Sequence, residues 1–555
     1  MANPHPPTTP TFAAGDDHDR MNPANPENLA FGAAGRTILG HPTGLFLLFF
    51  VEMWERFSYY GMRALLVLYL IRAVTGDEKG FNPGRGWTQA DASTLYGWYT
   101  GLAYLFPIFG GIVADKLIGT HRSMLVGGIL ISIGHVILGV SGIGSLDQSH
   151  LGMAVFIAGL AVIVLGTGHF KPTVSVMVGQ LYPPGDPRRD GAFTIFYMGI
   201  NLGAFICAFI CGTLGEKVGW HWGFGSAAVG MIVGLLMYMW GKPRFLQGIG
   251  EAPKAPAAAT GTATMFLVGS LVLAAAFGGL YYAGVTSYFD QMMDYLTNKN
   301  PTVGLIVAGL MAGGILGWAS LFVAKNEPQD RGPVISIFLF MIFNAFFWLA
   351  FEQAGSSINV FTEQNTNRMV GTFEVPATWF QSINAGCIFI LAPLFAALWT
   401  RLGRVKLNPS QPMKIALGLI FLGVGYLFMV VAGKGAVGTA KASMWLIVAT
   451  YFWHTVGELC LSPTGLSYVT KAAPVKFVSL LMGIWFVSSF IANLAGGLVA
   501  AQVERIEKGE LKLPWDVGPG QTNFFAGFVI VPVGVGVLVA IFTPLLKKLM
   551  RNPND

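Results

Sequence analysis

Apolar residues run along this chain in long blocks from residue 43 to residue 546, broken only by short polar turns. A helix needs roughly 20 mostly apolar residues to cross a bilayer. Windows of that size predict spanning helices near 43–72, 92–115, 121–141, 151–181, 189–215 and 221–241. The stretch KPRFLQGIGEAPKAPAAATGTAT, rich in Pro, Ala, Thr and Gly, then reads as a linker. Two apolar segments follow near 264–297 and 301–324. Six more come near 332–353, 377–400, 412–433, 443–471, 475–501 and 522–547. The pattern predicts about 14 spans, grouped six, two and six.

Composition sharpens that reading. Of 555 residues, 53% are hydrophobic and only 11% charged, whereas a soluble domain carries about 25% charged residues. So few charges cannot coat a globule of this size, and lipid is the solvent that most of the surface suits. The net charge of +6 does not point to nucleic acid, because the basic residues are spread thinly over short loops. With the N-terminus inside, about twenty of the 34 basic residues fall in cytoplasmic loops, Arg122, Arg188, Arg189, Lys242, Arg244, Arg401 and Arg404 among them. Both ends are then expected in the cytoplasm, with the chain multi-pass in a cell inner membrane or plasma membrane.

The first 42 residues have no apolar core of a signal peptide and are expected to be a disordered cytoplasmic tail. The expected domains are that tail (1–42), a six-helix bundle (43–241), a linker carrying two additional helices (242–331), a second six-helix bundle (332–548) and a short cytoplasmic tail (549–555). Cys207, Cys211, Cys387 and Cys460 all sit in apolar runs and read as small buried hydrophobes. No metal-ligand cluster, Ser/His/Asp grouping or phosphate loop is visible, so neither an enzyme nor a cofactor is expected.

The chemistry must lie in the charges that remain inside the spans, each of which costs about 2.5–3.5 kcal/mol on insertion scales. The first span contains EMWERFSYYGMR. At 100° per residue, Glu52, Glu55, Arg56, Tyr59, Tyr60 and Arg63 share an arc of about 140°. Such an arc belongs on a wet cavity or against charges of other helices, not in hydrocarbon. Lys171, Glu352 and Glu458 are the isolated intramembrane charges that could answer it, with Asn201, Asn384, Gln353 and Gln381 as neutral partners. Pro172 and Pro463, close after Lys171 and Glu458, can free backbone carbonyls towards a cavity. Cations dominate the first half and isolated carboxylates the second, which suits a zwitterion held between two walls. Salt bridges that merely lock the bundle are the bland alternative, but buried pairs add little stability over apolar packing. His169 and His454 read as structural histidines.

Twelve core helices divided six and six by a basic linker form the layout of the major facilitator superfamily, and GGIVADKLIGTHR resembles its loop signature through Gly111, Asp115 and Arg122. The chain further resembles the proton-dependent oligopeptide transporter (POT/PTR) family, bacterial type. The likeness is carried by Glu52, Glu55, Arg56 and Phe57 in an ExxERF pattern, and by FTIFYMGINLG, FWLAFEQ, FQSIN and ELCLSPTGLSYVTKAAP in the same order. The resemblance implies an all-α major facilitator fold and symport of di- and tripeptides and peptide-like drugs, with protons as the coupling ion. It implies that Glu52 and Glu55 are proton-coupling acids beside Arg56, with Glu352 sharing in the coupling. Arg63, Lys171 and Glu352 would form a cross-bundle network in which Arg56 and Lys171 also attract a peptide carboxylate. Glu458, with Asn201 and Asn384, would seat the peptide amine, and Tyr60 and Tyr104 would meet the backbone or carboxylate. Trp348 and Trp485 would shape side-chain pockets, and Ser489 would add a polar contact. A monomer should contain the whole pathway. Animal members carry a histidine seven residues before the tyrosine matched by Tyr104; here Gly97 stands there. Transport of nitrate or another small anion is the rival reading, and the retained Glu52 and Glu55 argue against it.

Overall fold

The computed structural model describes residues 37–77, 80–183, 185–252, 256–474 and 477–550. The tail expected before residue 43 lies mostly outside these, as do residues 551–555. Fourteen helices of twenty or more residues follow one another. They are α1 (Thr43–Ile71), α2 (Gln89–Val113), α3 (Gly119–Val140), α4 (His150–Gln180), α5 (Arg188–Cys207), α6 (Trp220–Phe245), α7 (Pro256–Tyr282), α8 (Pro301–Lys325), α9 (Pro328–Phe351), α10 (Ser382–Arg404), α11 (Gln411–Gly435), α12 (Met444–Ala472), α13 (Val478–Ala500) and α14 (Thr522–Leu549). Helices satisfy their own backbone hydrogen bonds, which lipid demands.

Among the described residues, twelve helical stretches are long and apolar enough to cross a membrane. One of them, Gln89–Val140, contains both α2 and α3, and α1, which carries four charges, is less apolar than these. The bend between α2 and α3 is made by a π-helical turn, Ala114–Ile118, and by Gly119 at φ +78°. A Cβ at Gly119 would also meet the Ala252 backbone at 2.7 Å, so only glycine suits that corner.

Each described span lies within a few residues of its expected place, with two differences. The seventh helix begins at Pro256, inside the presumed linker, and ends at Tyr282, followed by a separate short helix, Thr286–Asp294. A run of alanines has high helix propensity and Pro is favoured at the first helical position, so PAAATGTAT continues the helix instead of looping. Further on, α9 stops at Phe351, and Glu352–Gly355 form a 3₁₀ turn that leads into Ser357–Asn365.

Within the first half α3 and α2 pack on α4, and α1 packs on α5 and α6. In the second half α11 packs on α12 and α14. The halves meet along α2 with α13 and along α5 with α10. Where α2 crosses α13 the backbones touch: a Cβ on Gly97 would lie 2.9 Å from Gly497 Cα, and one on Gly497 would lie 2.5 Å from Ser93 O. Small residues let transmembrane helices approach this closely, and an imidazole at position 97 would clash with α13 in this arrangement. The additional pair stands outside. Helix α7 rests against α4 and α3, whereas α8 exposes Leu305, Leu310 and Leu321 on a face suited to lipid.

Candidate functional site

The charged arc of α1 is buried at the centre of the molecule. Arg56 Nε lies 2.8 Å from Glu52 Oε1 and 2.8 Å from Glu55 Oε2, with all three side chains at most 7% exposed. Two turns further, Arg63 Nη1 meets Glu352 Oε2 at 2.7 Å across the two halves, with both side chains again almost fully buried. The 3₁₀ turn after Phe351 is what swings Glu352 to this position. Tyr96 of α2 brings its hydroxyl within 3.5 Å of the same carboxylate oxygen. Arg63 also lies over the Tyr60 ring, 5.1 Å from its centroid.

Lys171 departs from the expected network. Among the described residues it makes no ion pair; its Nζ stands 3.4 Å from the centroid of the Tyr104 ring. A cation over an aromatic face keeps part of its electrostatic compensation while its hydrogens remain available. In the second half Asn384 Nδ2 donates to Glu458 Oε2 at 2.9 Å and lies 3.0 Å from Thr455 Oγ1. Asn384 and Glu458 thus lie together in the second half. Asn201 instead bonds Tyr197 O on its own helix, and Trp348 Nε1 bonds Asn344 Oδ1 one turn back. Trp485 is buried, and Ser489 is half-buried on the same helix. Gln353 ties α13 to the turn by donating to Gly496 O at 2.9 Å.

The two histidines serve packing. His169 Nδ1 lies 3.1 Å from Ser123 Oγ, and its ring meets Phe266 of α7. His454 packs against Tyr426 at 4.7 Å between centroids. The four cysteines are free thiols.

A second polar cluster, not anticipated from the sequence, joins the halves on the face away from the chain ends. Glu216 Oε2 accepts from Ala377 N at 2.9 Å, and Oε1 accepts from Thr378 N at 2.9 Å and from Thr378 Oγ1 at 2.7 Å. Arg368 stands 3.9 Å from Glu216 and 2.9 Å from Glu374, which also pairs with Lys217 at 3.1 Å. Arg72 pairs with Glu363 at 3.1 Å, and Gln89 N approaches Glu504 Oε1 at 3.3 Å. A cavity of about 450 Å³, bordered by Leu68, Arg72, Asp77, Glu363 and Lys441, lies beside them. Glu216 escaped notice because EKVG at the end of an apolar run reads as an ordinary interfacial charge. Tyr96 was one aromatic among many.

Two bundles that pack on each other through facing helices, with ionised side chains enclosed between them, define a membrane transporter of the major facilitator architecture. The comparisons agree. The POT family profile matches residues 121–515. The peptide transporter YePEPT of Yersinia enterocolitica is 36% identical over 93% of this chain and 97% of its own length. A di-/tripeptide transporter of Lactococcus lactis subsp. cremoris is 35% identical over 93% and 98%. A crystal structure of a peptide transporter POT in complex with sulfate superposes with a TM-score of 0.75 at 34% identity, covering 95% of this chain and 99% of that one. The chain belongs to the POT family.

Proposed function

We propose that this protein is a carrier, not an enzyme, that moves di- and tripeptides together with protons across the cytoplasmic membrane by alternating access. The observation that carries the reading is the separation of charge. Arg56, Arg63 and Lys171 stand on the first half with Glu52 and Glu55, which leaves a net positive charge there, while the carboxylates Glu352 and Glu458 stand on the second. A peptide with a free carboxylate at one end and an ammonium at the other fits between walls of that sign. The names of the two relatives, peptide transporter and di-/tripeptide transporter, support the same substrate class.

In this reading Lys171 and Arg56 attract the carboxylate, with Tyr60 and Tyr104 beside them. Glu458, steadied by Asn384, receives the amine. Trp348, Trp485 and Ser489 border the side chains, and Asn201 lies at the edge of the amine seat. A bound carboxylate competes for the cations that neutralise Glu52, Glu55 and Glu352, so binding and protonation are linked. Only a difference in affinity between the two access states can then move the halves. One proton descending 100 mV supplies about 2.3 kcal/mol, or roughly fifty-fold accumulation of a neutral solute. Both termini lie in the cytoplasm, the two bundles are 43–241 and 332–548, and one chain holds a full pathway.

Purified protein in liposomes tests this. An inward proton gradient should drive uptake of labelled dialanine, and unlabelled dipeptide should compete while nitrate should not. Failure of gradient-driven uptake, or competition by nitrate alone, would overturn the assignment.

A further inference from the structure

Behind the Arg56 pairs lies a set of buried polar atoms with no hydrogen-bond partner among the described residues. It includes both Glu55 carboxylate oxygens, the Tyr59 hydroxyl and the Tyr99 hydroxyl. Arg56 Nε is close to Glu55 Oε2 at 2.8 Å, yet its single hydrogen is aimed at Glu52 Oε1. Glu55 is thus compensated in charge without being hydrogen-bonded. The Tyr59 and Tyr99 rings stack with centroids 6.4 Å apart and planes 23° from parallel. Tyr99 lies one turn along α2 from Tyr96, whose hydroxyl is 3.5 Å from Glu352 Oε2.

An unsatisfied buried hydroxyl or carboxylate oxygen costs about 1–3 kcal/mol. Phenylalanine at positions 59 and 99 would fill the same space without that cost. Two such hydroxyls and an unbonded carboxylate therefore call for a use, and small bridging waters are the usual way such groups are satisfied. The Arg56 guanidinium lies 5.8 Å from the Tyr59 ring centroid, Tyr59 stacks on Tyr99 of α2, and Tyr96 of the same helix reaches the Arg63–Glu352 pair that joins the halves.

We propose that Tyr59, Tyr99 and Tyr96 form a hydroxyl relay that carries a proton between Glu55 and Glu352. The inference rests on the proton-coupled reading above and adds the route. In the forward step the Glu55 carboxyl O–H bond breaks and a Glu352 O–H bond forms. Each phenol between them gives up the hydrogen it holds and accepts another on the same oxygen, with water closing the gaps, so no tyrosinate remains. Once Glu352 is neutral, Arg63 loses its partner in the second half and the ion pair across the halves is released. The tyrosines are positioning residues; they need not touch the peptide.

The test compares two assays on protein in liposomes: dialanine uptake driven by a pH gradient, and counterflow of labelled dialanine at equal pH on both sides. For Tyr99→Phe and Tyr59→Phe the ratio of driven uptake to counterflow should fall by about tenfold or more, in the range of a lost proton-transfer group. For Tyr426→Phe, a buried tyrosine that donates to Ala350 O in the second half, the ratio should stay at the wild-type value. A wild-type ratio in both Tyr99→Phe and Tyr59→Phe would overturn the relay. So would an equal loss of both activities with an unchanged melting temperature, since that marks a structural role. Absence of counterflow in the unmodified protein would overturn the peptide reading itself, and the relay with it.

Discussion

Replacing Glu216 by alanine should unlatch the face away from the chain ends. The side chain belongs to the short helix Thr213–Lys217 that continues α5, and it accepts two backbone N–H groups and one hydroxyl from residues 377 and 378 in the other half. Hydrogen bonds to a charged group contribute about 1.5–3 kcal/mol each. Water replaces part of this when the face opens, so a net loss of about 3 kcal/mol for the three together is a fair working value. At 1.4 kcal/mol per factor of ten, the ratio of closed to open should fall roughly 100-fold. A population about 99% closed would become nearly evenly divided. The change can be read as a distance distribution between spin labels at Val218 and Val370, exposed positions on the two halves beside this cluster. Glu216→Ala should add a longer-distance population, and Glu216→Gln, which keeps one acceptor oxygen, should add a smaller one. An unchanged distribution in Glu216→Ala would refute the latch.

Other outcomes follow from the same geometry. Removing either Arg63 or Glu352 alone leaves a buried charge unpaired and should cost about 3–5 kcal/mol of stability, seen as a lower melting temperature. The double variant Arg63→Met, Glu352→Leu should recover most of that stability yet lack gradient-driven uptake. Glu458→Gln should weaken dialanine binding about tenfold or more by calorimetry, because the ammonium loses its counter-charge while Asn384 keeps a partner. Gly97→Leu should clash with Gly497 and favour the state open on the latched face, which the same spin labels would detect. Burial pushes the Glu374 carboxyl up, but Arg368 and Lys217 outweigh it and hold it below its ordinary 4.5. A depressed acid stabilises the paired state above its ordinary value and loses that contribution as pH falls through the native one. The share of closure that Glu374 contributes should therefore be lost as pH falls below about 4.5, and Glu374→Gln should remove that share.

The sequence by itself determined the spans, because hydropathy over a window of bilayer length is a local property of the chain. It also determined which side chains of α1 share a face, since helical periodicity alone places Glu52, Arg56, Tyr59 and Arg63 on one side. It showed that Glu352 and Glu458 had to find polar company, for lipid offers none. Only the tertiary structure decided which partner each one takes. Glu352 reaches Arg63 because α9 ends at Phe351, two residues early, in a 3₁₀ turn, while Lys171 settles over Tyr104 instead of joining that pair. The contacts of Glu216 with Thr378 and of Gly97 with Gly497 join residues far apart in the chain. Such pairings depend on how two bundles dock, and docking is set by the summed shape of many helices, which no local pattern encodes.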